Sequence, residues 1–194
     1  ANNPKVVEHL RLIESEVDDT ERVIQDLLEA TRLQPYRPEL FEVEALILDV
    51  AGRTAVTDKL QLVLNIAPQS RWVWADPLQL RQVLTNLFSN AMQACETHDS
   101  LTVRVNTKQS EREYHIEIQD TGPGVEAEVI DKVFEPLYTT KSRGTGLGLS
   151  ICKQIIENHG GTISLWSELG QGTTVRIQLP YQPISQPNAP NLTV

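Results

Sequence analysis

The stretch DPLQLRQVLTNLFSNAMQAC, residues 76–95, decides how the rest of the chain is read. Asp76 can accept from the first unpaired amides of a helix, and Pro77 suits the first helical position, where its missing N–H costs nothing. Gln79 stands three residues after Asp76, the spacing of a capping box. A helix is therefore expected from about Pro77 to Cys95. On it, Asn86 and Asn90 are four residues apart and share one face. Asparagine inside a helix is unfavourable because its amide competes with backbone hydrogen bonds, so two on one face need a reason. One reason is hydrogen bonding from the helix to a neighbouring loop. The other is an amide oxygen ligating Mg²⁺, a hard ion that takes oxygen and shares its shell with phosphates and waters.

Working outward, Phe41 to Lys59 reads as a short strand and a helix, and Leu62 to Ile66 and Trp72 to Ala75 read as strands. Downstream, Leu101 to Thr107 and Glu113 to Gln119 alternate with period two around a polar turn. About 25 glycine-punctuated residues follow Asp120, then a helix from about Leu147 to Asn158 and strands near Thr162 to Ser167 and Thr173 to Leu179. Strands joined mostly as hairpins, with helices between, predict an α+β fold: a two-layer sandwich of one mixed sheet with helices on one face. Before it, Val6, Leu10, Ile13, Val17, Thr20, Ile24 and Leu27 alternate four and three apart, a heptad seam on a long helix. Such a seam packs either on its own domain or on a partner chain. Pro35 and Pro38 end it and open a linker. The expected organisation is residues 1–34, then a domain over 35–180, then a disordered tail over 181–194 with Pro183, Pro187 and Pro190.

Composition excludes several classes. The 194 residues carry 17 Lys+Arg against 26 Asp+Glu, a formal charge of -9, so no basic surplus is available for nucleic-acid phosphates. No apolar run approaches the roughly 18–20 residues of a membrane span. Two cysteines, Cys95 and Cys152, make neither a disulfide framework nor a metal site, and a cytoplasmic, reducing compartment is expected. The chain opens with Ala1, shows no leader, and reads as part of something longer, whose missing parts could anchor it to a membrane.

Three further clusters could carry chemistry. Asp120-Thr-Gly-Pro-Gly124 ends a strand; Gly122 and Gly124 allow a tight turn and close approach to a flat ligand, and Asp120 can accept from an exocyclic amine. A plain turn has the same composition. Gly144-Thr145-Gly146-Leu147-Gly148 runs into a helix, where free amides and the helix dipole suit phosphate, although it is neither a dinucleotide fingerprint nor a Walker loop. Just upstream, Phe134, Thr139, Thr140, Lys141 and Arg143 offer an apolar anchor, hydroxyls and two cations, or simply a solvated loop. Gly170-Gln-Gly172-Thr173 is by itself a hairpin turn.

Taken together, QVLTNLFSNA, DTGPGV, FEPLYTTKSRGTGLGLSI and GQGTTVRIQLP resemble, in order and spacing, the ATP-binding domain of sensor histidine kinases. That superfamily also holds the gyrase, heat-shock chaperone and mismatch-repair ATPases, and the resemblance covers about residues 41–180. It implies a Bergerat-type sandwich with ATP held between the helices under a mobile lid. By position, Asn90 would ligate Mg²⁺ and Asn86 would help hold the metal or its water. Asp120 would read the adenine amine, Gly122 and Gly124 would shape the base pocket, and Thr173 would lie near the base. Gly144, Gly146 and Gly148, with Thr145 and Leu147 between them, would wrap the phosphates, supported from the lid by Thr140, Lys141 and Arg143. Phe134 would anchor the lid. Residues 1–34 would be the second helix of a dimerisation hairpin.

Three departures bear on activity. Many members have a basic residue three positions after the metal asparagine with an aromatic beside it; here Gln93 and Ala94 stand there, and Gln93 is counted with the nucleotide-binding set. Relatives that hydrolyse ATP carry Glu at the position of Asn86, and an amide cannot act as a general base, which favours phosphoryl transfer. The family's phosphoacceptor histidine motif is absent, and His9, with no following acid and no nearby proline, is not read as its replacement. His98, His115 and His159 are read as loop or strand histidines. The expected partners are therefore ATP with Mg²⁺, a response-regulator receiver domain and a second copy of the chain through the N-terminal helix. The expected reaction is transfer of the γ-phosphoryl group to a histidine outside this sequence.

Overall fold

The computed structural model describes residues 6–10, 13, 14, 17, 20, 24, 35–54, 60–94, 101–141 and 144–181. The elements are β1 (Glu39–Glu42), α1 (Val43–Thr54), β2 (Leu60–Ile66), a 3₁₀ turn (Pro68–Ser70), β3 (Trp72–Ala75), α2 (Pro77–Ala94), β4 (Leu101–Gln109), β5 (Glu113–Asp120), α3 (Ala127–Ile130), α4 (Gly148–Asn158), β6 (Thr162–Glu168) and β7 (Gly172–Pro180). Five strands form a mixed sheet in the order β2-β4-β5-β7-β6. β2 runs parallel to β4, which requires the long crossover through β3 and α2; the other pairs are antiparallel.

Period-two alternation sends Val103 and Val105, then Tyr114, Ile116 and Ile118, then Val175, Ile177 and Leu179 to one buried face. Three helices cover that face. On α2, Leu80, Val83, Leu84, Leu87, Phe88 and Ala91 make the stripe at helical spacing, and α4 adds Ile151, Cys152, Ile155 and Ile156. Helix α1 adds Val43, Leu46, Ile47 and Val50. The short turn before β3 is pinned to the sheet by polar groups: Tyr114 Oη donates to the Ser70 carbonyl, and the hydroxyls of Ser70 and Thr107 lie 2.6 Å apart in the interior. The expected sandwich, with helices on one face, is what forms.

Two features differ from the sequence reading. The strand at Trp72–Ala75 leaves the main sheet and pairs antiparallel with β1 as a separate two-stranded sheet, with Leu40 opposite Trp74 and Phe41 opposite Val73. Alternation there buries Val73 and Ala75 and leaves Trp72 and Trp74 exposed. The capping box at α2 is only half made. Asp76 Oδ1 accepts from the amides of Leu78 at 3.0 Å and Gln79 at 3.1 Å, as expected. Its own amide, which Gln79 should take, donates instead to His159 Nε2 at 3.1 Å, and Gln79 Oε1 is left buried without a partner.

The described residues of the N-terminal segment are helical, and Val6, Leu10, Ile13, Val17 and Ile24 are each more than half exposed. Leu27 and the expected disordered tail beyond Tyr181 lie outside the described residues, as does Cys95. Among the described residues no helix is long and apolar enough to cross a membrane.

Candidate functional site

The end of β5 places Asp120 where the sheet opens. Its Oδ1 accepts from the amides of Gly122 at 2.8 Å and Thr173 at 3.2 Å, so neither bond uses Oδ2. Burial pushes this carboxyl above the usual carboxylate range, opposed by the two amides and by the Lys141 charge. The loop after it folds back onto the β6–β7 hairpin. Gly124 turns there at φ 73°, where a Cβ would lie 2.1 Å from the Glu168 carbonyl oxygen; no other residue fits that approach. The hairpin answers with hydrogen bonds: Gly170 N–H to the Pro123 carbonyl and Val125 N–H to Ser167 Oγ, both 2.8 Å. Ser167 Oγ also donates to the Gly172 carbonyl and lies 3.0 Å from Thr173 Oγ1.

Across α2, the two asparagines serve different partners. Asn86 Nδ2 donates to the Gly148 carbonyl at 3.4 Å, which joins α2 to the start of α4. Asn90 Oδ1 accepts from Lys141 Nζ at 3.0 Å, and Gln93 Oε1 accepts from the same ammonium at 2.6 Å. Asn90 is thus bonded to the loop that carries Lys141, while Asn86 is bonded to the first residue of α4. The structure also presents the Asn90 oxygen to a cation.

The segment carrying Lys141 is closed by a hydrogen bond from Leu137 N–H to the Gly146 carbonyl at 3.0 Å. Gly146 adopts φ 69°, and a Cβ there would stand 2.5 Å from the Leu137 carbonyl carbon. A Cβ on Gly144 would meet Thr139 Oγ1 at 2.6 Å, whereas one on Gly148 would reach only ordinary contact with Asn86 at 3.7 Å. Leu147 is buried and precedes α4 without a side-chain cap. Ser150 Oγ turns back to the Leu147 carbonyl, and Thr145 Oγ1 takes the Leu147 amide at 3.3 Å. The first amides of α4 thus face the side of the glycines uncapped, which suits an anion. Phe134 is half-buried and Thr140 exposed; Arg143 lies outside the described residues.

Of the residues singled out in the sequence, Asn86, Asn90, Gln93, Lys141 and Gly148 come together directly, and Asp120, Gly122, Gly124 and Thr173 form the second cluster. Ser167 and His159 were missed. Ser167 gave no motif signal. His159 had one, its place just after the last helical residue before Gly160-Gly161, where a side chain can cap. It is a buried helix-end residue, not a loop or strand histidine. No group of three or more His, Cys, Asp or Glu suited to a metal occurs among the described residues.

One carboxylate oxygen of Asp120 is held by two backbone amides while the other is left free by both, and a glycine-rich segment leads into a helix without a side-chain cap, all on an α+β sandwich. The family described as "Histidine kinase-, DNA gyrase B-, and HSP90-like ATPase" matches residues 75–183, and the chain belongs to it. Sensor histidine kinase ZraS of Escherichia coli is 34% identical over 173 residues, 88% of this chain and 37% of that protein, so the chain spans little more than a third of that relative. The catalytic domain of histidine kinase ThkA superposes with a TM-score of 0.65 at 29% identity, covering 74% of this chain and 97% of that one. Histidine kinase ThkA in complex with the response regulator protein TrrA superposes with a TM-score of 0.76 at 24% identity, covering 96% of this chain and 55% of that one. The chain thus has the ATP-binding fold of a histidine kinase catalytic domain.

Proposed function

We propose that this domain transfers the γ-phosphoryl group of Mg-ATP to a histidine on a helix outside this sequence, for relay to an aspartate of a response regulator. The observation that carries this reading is the asparagine pair on α2. Asn86 and Asn90 offer amide oxygens and no carboxylate, so among the described residues of α2 nothing stands ready to deprotonate water. The domain then contributes position and charge neutralisation, which phosphoryl transfer chiefly needs.

The residues present fit a divalent cation. Asn90 Oδ1 already accepts from an ammonium, so it is aimed at positive charge, and amide oxygen is a ligand type Mg²⁺ takes. Asn90 would hold the ion with Asn86 beside it. When bound, Mg²⁺ would neutralise charge on the phosphate oxygens. Asp120 Oδ2 accepts from the adenine amine, Gly122, Gly124 and Thr173 hold that carboxylate and its loop in place, and Gln93 steadies Lys141. Lys141 and Arg143 support the phosphates from the lid with Thr140, while Gly144, Thr145, Gly146, Leu147 and Gly148 bring backbone amides to them. Phe134 anchors the lid to the domain.

The likeness to a kinase solved with its response regulator supports the relay partner. The exposed, helical seam of Val6, Leu10, Ile13, Val17 and Ile24 supports pairing with a second copy of the chain, with residues 1–34 as one helix of a dimerisation hairpin, 35–180 as the catalytic domain and 181–194 as its tail. The test is incubation with γ-labelled ATP, alone and with a supplied acceptor hairpin. The expected result is acid-labile label on the hairpin and none on this chain. Label on the chain that disappears in His9→Ala, or steady phosphate release without any acceptor, overturns the proposal.

A further inference from the structure

Helices α2 and α4 lie antiparallel and are tied at three places. Beside the glycines, Asn86 Nδ2 donates to the Gly148 carbonyl at 3.4 Å. Midway, Cys152 Sγ donates to the Val83 carbonyl at 3.8 Å. At the far end, Asp76 N–H donates to His159 Nε2 at 3.1 Å. The partners descend along one helix as they climb the other, so the ties share one register.

The far tie is chemically specific. His159 Nδ1 lies 2.8 Å from the Ile155 carbonyl, which can only accept, so the network assigns the proton to Nδ1 and leaves Nε2 as a bare acceptor. The ring is buried, with 6% exposure. Among the described residues two titratable groups face it: Asp76, at the start of α2, and Tyr36, whose ring meets it edge-on with centroids 4.8 Å apart. Burial lowers the His159 pKa below the usual histidine value, more than the Ile155 carbonyl and the Asp76 charge raise it. Asp76 also receives the chain from the linker, because Arg37 N–H donates to its Oδ2 at 2.8 Å.

We propose that His159 is a positioning residue for the nucleotide site: by accepting the Asp76 amide it locks α4 against α2, and so sets where Gly148 and the open amides of α4 stand relative to Asn86 and Asn90. The inference rests on the nucleotide-binding reading above. A helix of this length is a stiff rod of about 16 Å, and a rod tied at both ends neither slides nor tilts. Without the far tie the C-terminal end of α4 is held to α2, among the described residues, by no hydrogen bond beyond the one at Cys152, and the helix can tilt about its packed middle, which moves Gly148 against the weak bond to Asn86. Protonation of Nε2 sets a donor against the Asp76 donor and breaks the same tie, so site geometry loosens as pH falls through the His159 pKa.

The experiment is calorimetric titration of Mg-ADP into the whole chain, as wild type, His159→Phe and His159→Gln, between pH about 8 and about 5. The phenylalanine keeps a ring for Tyr36 but cannot accept; the glutamine can accept but does not titrate. Expected at pH 8 is an affinity about tenfold lower in His159→Phe, with an unchanged circular dichroism spectrum, and recovery to within about threefold in His159→Gln. On acidification the wild type weakens more than His159→Gln, whose remaining loss belongs to Asp120. Wild-type affinity in folded His159→Phe, or coincident pH profiles for wild type and His159→Gln, overturns the inference. If His159→Phe does not fold, the comparison of wild type with His159→Gln decides alone. A wild type that binds no nucleotide at pH 8 overturns the nucleotide reading itself, and the inference with it.

Discussion

Asp120 draws two backbone amides onto one oxygen of a half-buried carboxylate, and on the proposed nucleotide-binding role that asymmetry makes aspartate irreplaceable by its isostere. In Asp120→Asn the carbonyl oxygen would satisfy Gly122 and Thr173, which turns the NH₂ group toward the ligand, donor against amine donor. Nucleotide affinity should fall at least about a hundredfold by calorimetry, from a lost bond and an unpaired buried group together. The same variant should melt no lower than wild type at neutral pH. The sign follows from the raised pKa: below the ordinary carboxylate range both folded and unfolded chains hold the proton and the variants are alike. As pH rises the unfolded chain ionises first, so the folded wild type loses stability until its own carboxyl has ionised. The advantage of Asp120→Asn should therefore grow through the acid range and then level off in urea melts. At Cys152 burial pushes the thiol up to about 12, so it should resist iodoacetamide until the chain unfolds.

At the level of elements, the described residues of the segment from Leu137 to Gly146 contribute none to the buried core, and the segment is closed by the backbone bond from Leu137 to Gly146. Its shape depends on backbone rather than packing, which is why Gly146→Ala is a sharp probe. Besides an unfavourable φ of 69°, the new methyl would collide with the backbone of Leu137 and Tyr138. The expected result is nucleotide affinity lowered by about tenfold or more with a nearly unchanged melting temperature, because the core is untouched. Lys141 is exposed, so its bonds to Asn90 and Gln93 add little to stability. Lys141→Met should leave the melt unchanged, speed hydrogen exchange in the segment, and weaken ATP binding by about fivefold as a charge on the phosphates is lost.

For the whole molecule, stability resides in the layer between sheet and helices. Phe88 is fully buried on α2, and Phe88→Ala should lower unfolding free energy in urea by about 3–5 kcal/mol, without changing which residues meet the nucleotide. Tyr114→Phe should cost about 1–2 kcal/mol, since the Ser70 carbonyl would lose its buried donor. Much of this architecture was legible beforehand. Period-two alternation located β4 and β5 to within two residues, and Asp76-Pro77 marked the start of α2, because each of these signals lies within a turn or two of chain. Other features were not legible for the converse reason. The Asp76 amide goes to His159, 83 residues away, rather than to Gln79 three residues on, and Lys141 reaches Asn90 across 51 residues. The separate β1–β3 sheet likewise pairs segments whose own patterns say strand but not with whom. The sequence by itself determined most of the elements and their order, since local periodicity and capping depend on neighbours along the chain. Only the tertiary structure decided the partners, because a hydrogen bond between distant residues exists only once sheet and helices have packed and brought donor and acceptor within about 3 Å.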